Sequence, residues 1–440
     1  MHDPWTQTSL GEQIRLTKGL TYASSDYCSR EDGHIFLTIK CIEKGGGFSQ
    51  EGLKYYRGFF APEHVLKYGD LVIALTDLTR AGDIVGGPLF VPDFGNDEFA
   101  LPSMDLAVLR PAHRDTNLSF IFYRLMLQDA RRYMLAHAGG TTVLHLETRA
   151  VPKFRFMAPD PARQAKIAEI LSTIDEVIAQ TEAHIAKTQQ IKAGLMHDLY
   201  TRGVTANGQL RPSREEAPQL YKKSPFGWIP KEWEMAVVDD FCTQVVDCPH
   251  STPVYVDRGI PCIRTADMLP GRLLLAQAYR VTEKTYRERV ARLVPRMGDI
   301  IYSREGERLG IASPVGDEPV CLGQRVMLLR PGQETDPTFM LWGMNTAWFY
   351  RRVISGLGAT TSPHVNVGDI RKQLLMRPPR DEQERIGLQL TTLQAKMAAD
   401  ETEARQLEAL RSGLMSDLLT GRVPVVAALD ALVAEVAANV

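Results

Sequence analysis

The chain carries one sequence pattern twice, at a constant offset. An apolar-periodic segment at residues 167–174 leads through a polar stretch to a Gly-Leu-Met-x-Asp-Leu motif at residues 194–199. A second such segment at residues 386–393 leads to the same motif at residues 413–418. The offset in residue number is 219 for the segment (386 − 167) and for the motif (413 − 194). A chain built from two copies of one unit is expected to fold as a pseudo-dimer, which constrains its function more than any single residue does.

Each copy begins with a region whose pattern predicts short strands followed by a helix. In the first copy, apolar runs at residues 35–42, 70–76 and 106–110 predict strands, and residues 120–138 have helical spacing. The second copy has the same order, but its offset is 229 at first (298 − 69) and becomes 219 later. The two globular parts therefore share a core and differ in loop length. Divergent loops on a shared scaffold are typical of two different recognition surfaces.

Composition limits the class of protein. With 440 residues, 44% hydrophobic and 24% charged, the chain is long enough for two to three hydrophobic cores. No apolar run is long enough to cross a bilayer, the start is unlike a signal peptide, and the six cysteines are scattered. We therefore expect a cytoplasmic protein with free thiols. Because the net charge is only −2, any nucleic-acid surface must be local.

The second half of each copy predicts a long helix. Prolines stand at residues 159 and 161 in the first copy and at 378 and 379 in the second, where a helix tolerates them only in its first turn. From Pro161 to Leu199 such a helix spans about 58 Å at ~1.5 Å per residue. Apolar residues recur at three- and four-residue spacing and form one narrow stripe per helix: Ile167, Leu171, Ile174, Ile178, Ile185, Leu195 and Leu199 in the first, and Ile386, Leu390, Leu393, Met397, Leu407, Leu414 and Leu418 in the second.

A long helix with a narrow apolar stripe needs a partner to bury it. Each repeat can pack its helix against the helix of the other repeat, and the near-3.5-residue spacing of the stripe favours this arrangement. The alternative is that each helix folds back on its own globular part. Polar residues interrupt the two stripes at Thr181, Thr188, Lys192, Asp400 and Arg411.

The sequence contains almost none of the motifs that indicate catalysis. It has no phosphate-binding loop of the Gly-x-x-x-x-Gly-Lys-Ser/Thr type and no Gly-x-Gly-x-x-Gly after a strand. It also lacks the Asn/Asp-Pro-Pro-aromatic tetrapeptide that holds an exocyclic amine for methylation. Cys242, Cys248 and His250 form a loose metal-like group without a fourth ligand, so buried structural cysteines are the favoured interpretation and we predict no metal. The chain is thus predicted to bind rather than to catalyse.

The order and duplication of these motifs resemble a known family. The flanked motif at residues 192–204, its second copy at 411–423, and the opening of the second globular part at 226–233 are similar to the specificity subunit of type I restriction–modification systems. The resemblance covers nearly the whole chain. It implies an α+β fold in which two pseudo-repeated globular α/β target recognition domains are joined by two long antiparallel helices that form a coiled-coil-like spacer. The implied divisions are residues 1–157 (first target recognition domain), 158–203 (first spacer helix), 204–232 (linker), 233–378 (second target recognition domain), 379–423 (second spacer helix) and 424–440 (C-terminal tail).

The resemblance also implies a mechanism. Each target recognition domain reads one half of a split sequence in double-stranded DNA, and the paired helices set the spacer between the half-sites. DNA methyltransferase subunits dock on the chain and methylate adenine at N6 with S-adenosylmethionine, and a motor-nuclease subunit restricts DNA with ATP and magnesium. The chain itself is then a non-catalytic subunit without a cofactor. The separation matches the scale of one or more turns of B-DNA, on which split sites are read.

Base reading requires side chains that reach the edges of bases, with other cations on phosphates. The candidates in the first globular part are Lys40, Lys44, Arg80, Thr142 and His145. Those in the second are Arg264, Arg304, Arg308, Thr361 and His364. The loop of residues 304–310 is the best single candidate, because it is charged, contains glycines and follows a predicted strand. A solvated surface charge is the more common role of any one such residue.

Two other functions stay open at this point. The paired helices and divergent domains could organise protein partners without DNA, or the chain could be an enzyme whose active site carries no familiar motif. The sequence does not give the DNA sequence that is read or the role of the tail.

Overall fold

The structure is a computed structural model that describes residues 5–79, 81–95, 98–306, 308–355 and 363–423. These residues form two compact units. Unit 1 contains the described residues up to Glu182 and those from Glu403 onwards, and unit 2 contains Ala183–Thr402. Each unit therefore combines one globular part with one portion of each of two long helices.

Unit 1 is built around two small sheets. Its strands are β1 (Thr6–Ser9), β2 (Ile14–Lys18), β3 (His34–Leu37), β4 (Lys54–Tyr56), β5 (Leu71–Ala74), β6 (Thr76–Asp77), β7 (Pro88–Phe90), β8 (Ala100–Pro102), β9 (Leu106–Pro111), β10 (Ala138–Gly139), β11 (Leu144–Leu146) and β12 (Arg155–Ala158). Its helices are α1 (Leu10–Gln13), α2 (Leu118–Met126), α3 (Gln128–Ala136) and the first portion of α4 (Pro161–Thr201). One sheet has the strand order β2-β9-β5-β7 and the other β4-β3-β8, while β10-β11-β6 form a third sheet and β1 pairs with β12.

Unit 2 repeats this architecture. Its strands are β13 (Tyr221–Ser224), β14 (Gly227–Pro230), β15 (Glu234–Val237), β16 (Cys242–Asp247), β17 (Ile260–Ile263), β18 (Met268–Leu269), β19 (Arg272–Leu273), β20 (Arg280–Val281), β21 (Ile300–Ser303), β22 (Ala312–Pro314), β23 (Cys321–Leu322), β24 (Val326–Pro331) and β25 (Leu374–Arg377). Its helices are α5 (Glu283–Arg289), α6 (Pro337–Met344), α7 (Ala347–Ile354), α8 (Val367–Arg371) and the first portion of α9 (Arg380–Leu418). The order β16-β24-β21-β22 corresponds to β2-β9-β5-β7, and β20-β17-β23 corresponds to β4-β3-β8.

The central strands are apolar throughout because each has a core on both faces. In β5, Leu71 and Ile73 belong to one hydrophobic cluster, whereas Val72 and Ala74 belong to another. A strand that is covered on both faces reads as a continuous apolar run rather than an alternating one. This is why the sequence showed these strands clearly, without showing which face meets which helix.

The long helices take part in the globular cores as well as packing on each other. In unit 1, Ile167 of α4 and Leu418 of α9 belong to the same buried cluster as Phe120 of α2. In unit 2, Leu199 of α4 and Ile386 of α9 belong to the cluster of the globular part. Both arrangements considered from the sequence therefore occur together. Of the predicted stripe, Ile178, Ile185, Leu195, Leu393 and Leu414 are partly buried and the other members are buried.

α4 and α9 run antiparallel within each unit. In unit 1, the Arg411 guanidinium of α9 pairs with the Asp175 carboxylate of α4, with 3.4 Å from Nη2 to Oδ2. In unit 2, Lys192 of α4 donates to Gln394 Oε1 of α9. From the first contact to the second, the residue number rises from 175 to 192 on α4 and falls by the same amount, from 411 to 394, on α9. The α+β fold with two long antiparallel helices is therefore confirmed.

The polar interruptions of the stripe form these helix-to-helix contacts. Asp175 also accepts a hydrogen bond from the Tyr123 hydroxyl at 2.7 Å, in unit 1. In unit 2, Lys192 lies 4.1 Å from the ring centroid of Trp342, which follows Tyr123 by the repeat offset of 219 (342 − 123). Burial lowers the pKa of Lys192 to about 8, although Glu401 acts in the opposite direction. The contact between α4 and α9 therefore lies at equivalent positions in the two units, but it is an ion pair in unit 1 and a lysine–glutamine hydrogen bond in unit 2.

The start of each long helix is fixed by one buried glutamine. Gln164 Nε2 donates to the Pro159 carbonyl at 2.9 Å, and Gln383 Nε2 donates to the Pro378 carbonyl at 3.0 Å. The two glutamines are related by the repeat offset of 219 (383 − 164). Each satisfies a carbonyl that precedes the helix and therefore has no partner within it. At 41 and 39 residues, α4 and α9 are each about 60 Å long. In the described part of the chain, no helix has an apolar stretch that could cross a membrane.

Residues 204–232, the linker predicted from the sequence, are packed into unit 2. Val204, Tyr221 and Ile229 are buried, and β13 and β14 form a hairpin. The abundance of proline, glycine and charge suggested a segment with little core of its own. The segment is ordered by contacts with residues that are far away in sequence, which composition does not reveal.

The Glu382 carboxylate holds the parts of unit 2 together. It is 1% exposed and accepts hydrogen bonds from the Val204 amide at 2.8 Å and from Trp233 Nε1 at 3.0 Å. The Arg211 guanidinium also donates to it, with 2.9 Å from Nη2 to Oε2. One buried acid in the first turn of α9 thus binds the end of α4, the segment between the repeats and the start of the second globular part.

We expect Glu382→Gln to destabilise unit 2 by about 3–5 kcal/mol, because it leaves the buried Arg211 charge without its main partner. Urea unfolding followed by tryptophan fluorescence measures the change. The control is Glu384→Gln, nearby on α9, whose carboxylate is 56% exposed and pairs with Arg380. This exposed pair contributes less than about 1 kcal/mol, so equal losses in the two variants would contradict the central role of Glu382.

Candidate nucleic-acid interface

The two units place their predicted histidines at equivalent positions. In unit 1, His145 of β11 lies opposite Thr76, which follows β5. In unit 2, His364 lies opposite Glu305, which follows β21. The two histidines are related by the repeat offset of 219 (364 − 145). The loop that follows the central strand therefore lies beside the equivalent histidine in each unit, and several of the predicted residues are found around it.

In unit 1, a buried aspartate shapes the loop after the central strand. Asp77 is 0% exposed, and its carboxylate accepts hydrogen bonds from the amides of Thr79 at 2.6 Å, Ile84 at 2.5 Å and Val85 at 2.8 Å. Burial alone would raise the pKa of Asp77, but hydrogen bonds from Thr79 and from the amides of Ile84 and Val85 outweigh it and hold the pKa below its usual value. The loop is therefore fixed from within, and its outer side chains are free to differ.

The other predicted residues of unit 1 are exposed around this loop. Lys44 pairs with Asp83 of the loop at 3.3 Å and is 74% exposed. Thr142 lies in the turn of the β10–β11 hairpin, and Lys40 lies in a short 3-10 helix after β3; both are exposed. Lys44, Thr142 and His145 are thus brought to the loop region, whereas Lys40 lies beyond the end of β3. Arg80 falls outside the described residues.

In unit 2, Arg304 is buried at the centre of an ion-pair network. Its side chain is 3% exposed, and Nε lies 3.1 Å from Asp247 Oδ1. It also lies 3.3 Å from Glu305, which in turn pairs with His364 Nδ1 at 2.7 Å and with Arg325 at 3.4 Å. Arg304 therefore positions the loop, and the exposed members of the network are Arg325 and His364.

Arg325 is a residue that the sequence did not single out. Its backbone has φ of 73°, the one positive value among the non-glycine residues that the structure describes. Such a conformation costs free energy and is maintained only where the surroundings impose it, often at functional sites. The Arg325 carbonyl accepts a hydrogen bond from the Arg304 amide at 3.0 Å, which imposes it here. Nothing in the sequence predicts this, because most residues before a strand adopt negative φ.

The remaining predicted residues of unit 2 are held by specific contacts. Arg264 pairs with the buried Asp267, with both donor–acceptor distances 3.0 Å, and its guanidinium lies 3.6 Å from the centroid of the Tyr279 ring. The hydrogen bond to Asp267 raises the pKa of Arg264. Arg308 is exposed and donates to the carbonyls of Ala266 at 2.8 Å and Met268 at 3.1 Å. Thr361 falls outside the described residues.

Comparison with known proteins gives consistent matches. Residues 89–193 match the family model for the type I restriction modification DNA specificity domain. The chain is 23% identical to the type I restriction enzyme MjaVIII specificity subunit of Methanocaldococcus jannaschii. The alignment spans 433 residues and covers 96% of this chain and 94% of that protein. The chain is also 22% identical over 400 residues to the type I restriction enzyme EcoBI specificity subunit of Escherichia coli. That alignment covers 88% of this chain and 78% of the relative. The resemblance to type I specificity subunits is confirmed.

Solved structures agree on the fold. The crystal structure of a type I restriction-modification system S subunit from M. genitalium aligns with a TM-score of 0.61 over 97% of both chains, at 13% identity. A chain from a structural study of the assembly and conformational transition of the type I R-M system aligns with a TM-score of 0.50, covering 96% of this chain and 100% of that chain, at 17% identity. The likeness therefore extends over both repeats and both long helices.

We expect Asp77→Asn to destabilise unit 1 by roughly 1–3 kcal/mol at neutral pH, because an amide group cannot accept all of the hydrogen bonds that the carboxylate accepts. The pKa of Asp77 is lower in the folded protein than in the unfolded chain. The wild type therefore has the larger free energy of unfolding at any pH above the unfolded pKa of about 4. This difference is lost as the pH falls through the lower pKa of the folded protein. Urea unfolding of both proteins between neutral and acidic pH measures it. A difference that does not shrink in acid would contradict this assignment.

Proposed function

We propose that this chain is the DNA-specificity subunit of a type I restriction–modification complex. Each unit reads one half of a split sequence in double-stranded DNA, and the paired helices set the length of the spacer. The chain is not an enzyme itself. The methyltransferase subunits supply adenine methylation with S-adenosylmethionine, and the motor-nuclease subunit supplies restriction with ATP and magnesium.

One observation carries the proposal. Within a fold shared with type I specificity subunits, the two units present equivalent loops with different chemistry. The position after the central strand is Thr76 in unit 1 and Glu305 in unit 2, and each lies opposite the equivalent histidine. Two scaffolds of the same fold with different loop side chains are what the reading of two unlike half-sites requires.

The fixed side chains are suited to base reading. The Arg308 guanidinium is held by two backbone carbonyls, and Arg325 by Glu305, so less conformational freedom is lost when either one binds DNA. Arginine pairs with guanine through two hydrogen bonds, and lysine contacts guanine or phosphate. The local distribution of these cations supports DNA binding despite the negative net charge.

The direct test is to express the chain with its methyltransferase subunit and to map methylated adenines in genomic DNA by single-molecule sequencing. We expect methylation within a split sequence with two defined halves. If the pattern of methylation were unchanged when this chain is deleted, the proposal would be wrong, and a protein-interaction scaffold without DNA specificity would be the better interpretation.

Single substitutions assign each half-site to a unit. We expect Arg308→Ala to weaken binding by roughly 1–3 kcal/mol through the half-site read by unit 2 alone. Lys44→Ala is the matched change in unit 1. If Lys44 contacts a base, the variant should affect the other half-site. If it contacts a phosphate, the variant should weaken binding without altering sequence preference. Competition with duplexes altered in one half at a time measures both. Equal effects of Arg308→Ala on both halves would indicate general phosphate contact.

The spacer is tested by shortening both helices together. By the residue numbering of the Asp175–Arg411 and Lys192–Gln394 contacts, residues 181–187 of α4 correspond to residues 399–405 of α9, and deletion of both heptads keeps the two apolar stripes in phase. We expect a shorter spacer in the methylated sequence with both half-sites unchanged. Deletion of residues 181–187 alone is the control, and it should destabilise the protein. A doubly shortened chain that folds but methylates with the original spacer would exclude the helices as the determinant.

A further inference from the structure

Unit 2 contains a cavity of about 660 Å³ that DNA reading does not use. It lies between the last turns of α4, the turn of the β13–β14 hairpin and the start of α7. Its apolar wall includes Met196 of α4, Phe226 of the hairpin and Trp348 of α7, and its basic edge is formed by Arg351 and Arg352. Cavities of this size bind small ligands or a few side chains of a partner protein.

The basic edge of the cavity is not neutralised. No Asp or Glu lines the cavity. Within the described ranges, neither Arg351 nor Arg352 has a carboxylate within 4.0 Å. In contrast, Arg330 and Arg371 of the same unit pair with aspartates at 2.7 Å and 2.8 Å. Two adjacent uncompensated cations beside an apolar wall favour a ligand that carries a negative charge.

Two buried donors on the wall also lack acceptors. In the part of the chain that the structure describes, Trp348 Nε1 and Arg352 Nε are buried without a hydrogen-bond partner. Such a donor costs about 1–3 kcal/mol if it stays unpaired. The rings are held in place, since Phe226 and Trp348 lie 5.0 Å apart and the Arg352 guanidinium lies 4.3 Å from the Phe226 centroid. The rings of the wall therefore form a fixed aromatic surface.

DNA is a poor fit for this cavity. A duplex is too wide to enter it, and none of the residues of the Glu305 network lines it. A protein segment can insert a side chain into such a cavity and place a carboxylate on its edge. Tryptophan and arginine in a pocket are also the residues that most often dominate the energy of protein–protein contacts.

The side chains of the cavity wall differ from those at the equivalent place in unit 1. At the repeat offset of 219, Trp348 corresponds to Asp129 (348 − 129) and Arg352 to Tyr133 (352 − 133). Asp129 is an acid, and it pairs with Arg124 at 2.7 Å between Oδ1 and Nη1. Of these three α7 residues, Arg351 alone has a like counterpart, Arg132 (351 − 132). The equivalent place in unit 1 therefore has an acid where unit 2 has a donor, and it does not suit an anionic ligand.

We propose that this cavity binds an acidic segment of a protein partner, one segment per chain. A carboxylate of the segment contacts Arg351 and Arg352, and an apolar or aromatic side chain packs on Phe226 and Trp348. That the partner is a subunit of the same complex rests on the proposed function. Because Trp348 and Arg352 have no like counterparts in unit 1, the site binds its partner asymmetrically even though the scaffold is repeated.

The test uses the full chain and two kinds of fluorescein-labelled peptide. One is a set of short overlapping peptides that cover the methyltransferase and motor-nuclease subunits, and the other is the synthetic peptide Glu-Glu-Trp-Glu-Glu. Fluorescence anisotropy measures affinity, and native mass spectrometry measures stoichiometry. We expect acidic peptides to bind once per chain. Arg351→Glu should weaken binding by about tenfold or more, as expected when an attractive charge contact becomes repulsive.

Matched variants separate binding from folding. Arg132→Glu makes the same charge change at the equivalent exposed position of unit 1 and should leave the affinity unchanged. Trp348→Leu keeps a large apolar side chain but removes the aromatic ring that packs on Phe226, and it should weaken binding severalfold; the Tm of the variant is measured alongside. Arg351 is exposed, so its substitution should leave the Tm unchanged.

Several outcomes would overturn the proposal. The first two are that no acidic peptide binds, or that Arg351→Glu and Arg132→Glu lose the same amount of peptide affinity. The other two are that two peptides bind per chain, or that duplex DNA displaces the peptide and itself needs Arg351 for binding. The synthetic peptide keeps this test separate from the proposed function. If the chain specifies a split methylated sequence but binds no peptide, only the cavity proposal fails. If it specifies none but still binds the synthetic peptide through Arg351, only the proposed function fails.

Discussion

The antiparallel contact between the two long helices is the constraint on which the rest of the structure depends. A narrow apolar stripe does not stabilise a single helix of about 60 Å in water. Each unit therefore uses the beginning of one helix and the end of the other, and both become part of its core: Phe120 shares a cluster with Leu418, and Phe339 with Leu199. Neither globular core is complete with the residues of one repeat. The duplication thus builds two units that each depend on both copies.

The repeat preserves the contacts that position the elements and changes side chains at the equivalent loop position. Gln164 and Gln383 make the same hydrogen bond to a proline carbonyl, whereas the position after the central strand changes from Thr76 to Glu305. The same division is consistent with the proposed reading of two unlike half-sites and with the proposed binding of a partner at the unit 2 cavity alone. Symmetry of the backbone does not require symmetry of function.

Local patterns predicted the elements well, and the side-chain roles less well. The strands are continuous apolar runs and the long helices have regular stripes, so both are visible in short windows of sequence. Arg304 was a base-reading candidate because it is a cation in a glycine-containing loop. It is buried against Asp247 of β16, which is distant in sequence, and no short-range pattern connects the two. The linker was expected to have little core of its own for the same reason, since Arg211 is fixed by Glu382 from the far end of the repeat.

The sequence by itself determined the duplication, the helix stripes, the order of the strands and the resemblance to type I specificity subunits. These depend on periodicity and on motif order, which are properties of the linear chain. Only the tertiary structure decided which charges are buried and which face solvent, that the polar interruption at Arg411 is a contact with Asp175 of the other helix, and that Phe226, Trp348 and Arg352 surround one cavity. The physical reason is that the free energy of a charge or a hydrogen-bond donor depends on its burial and its partners, and these come from distant parts of the chain.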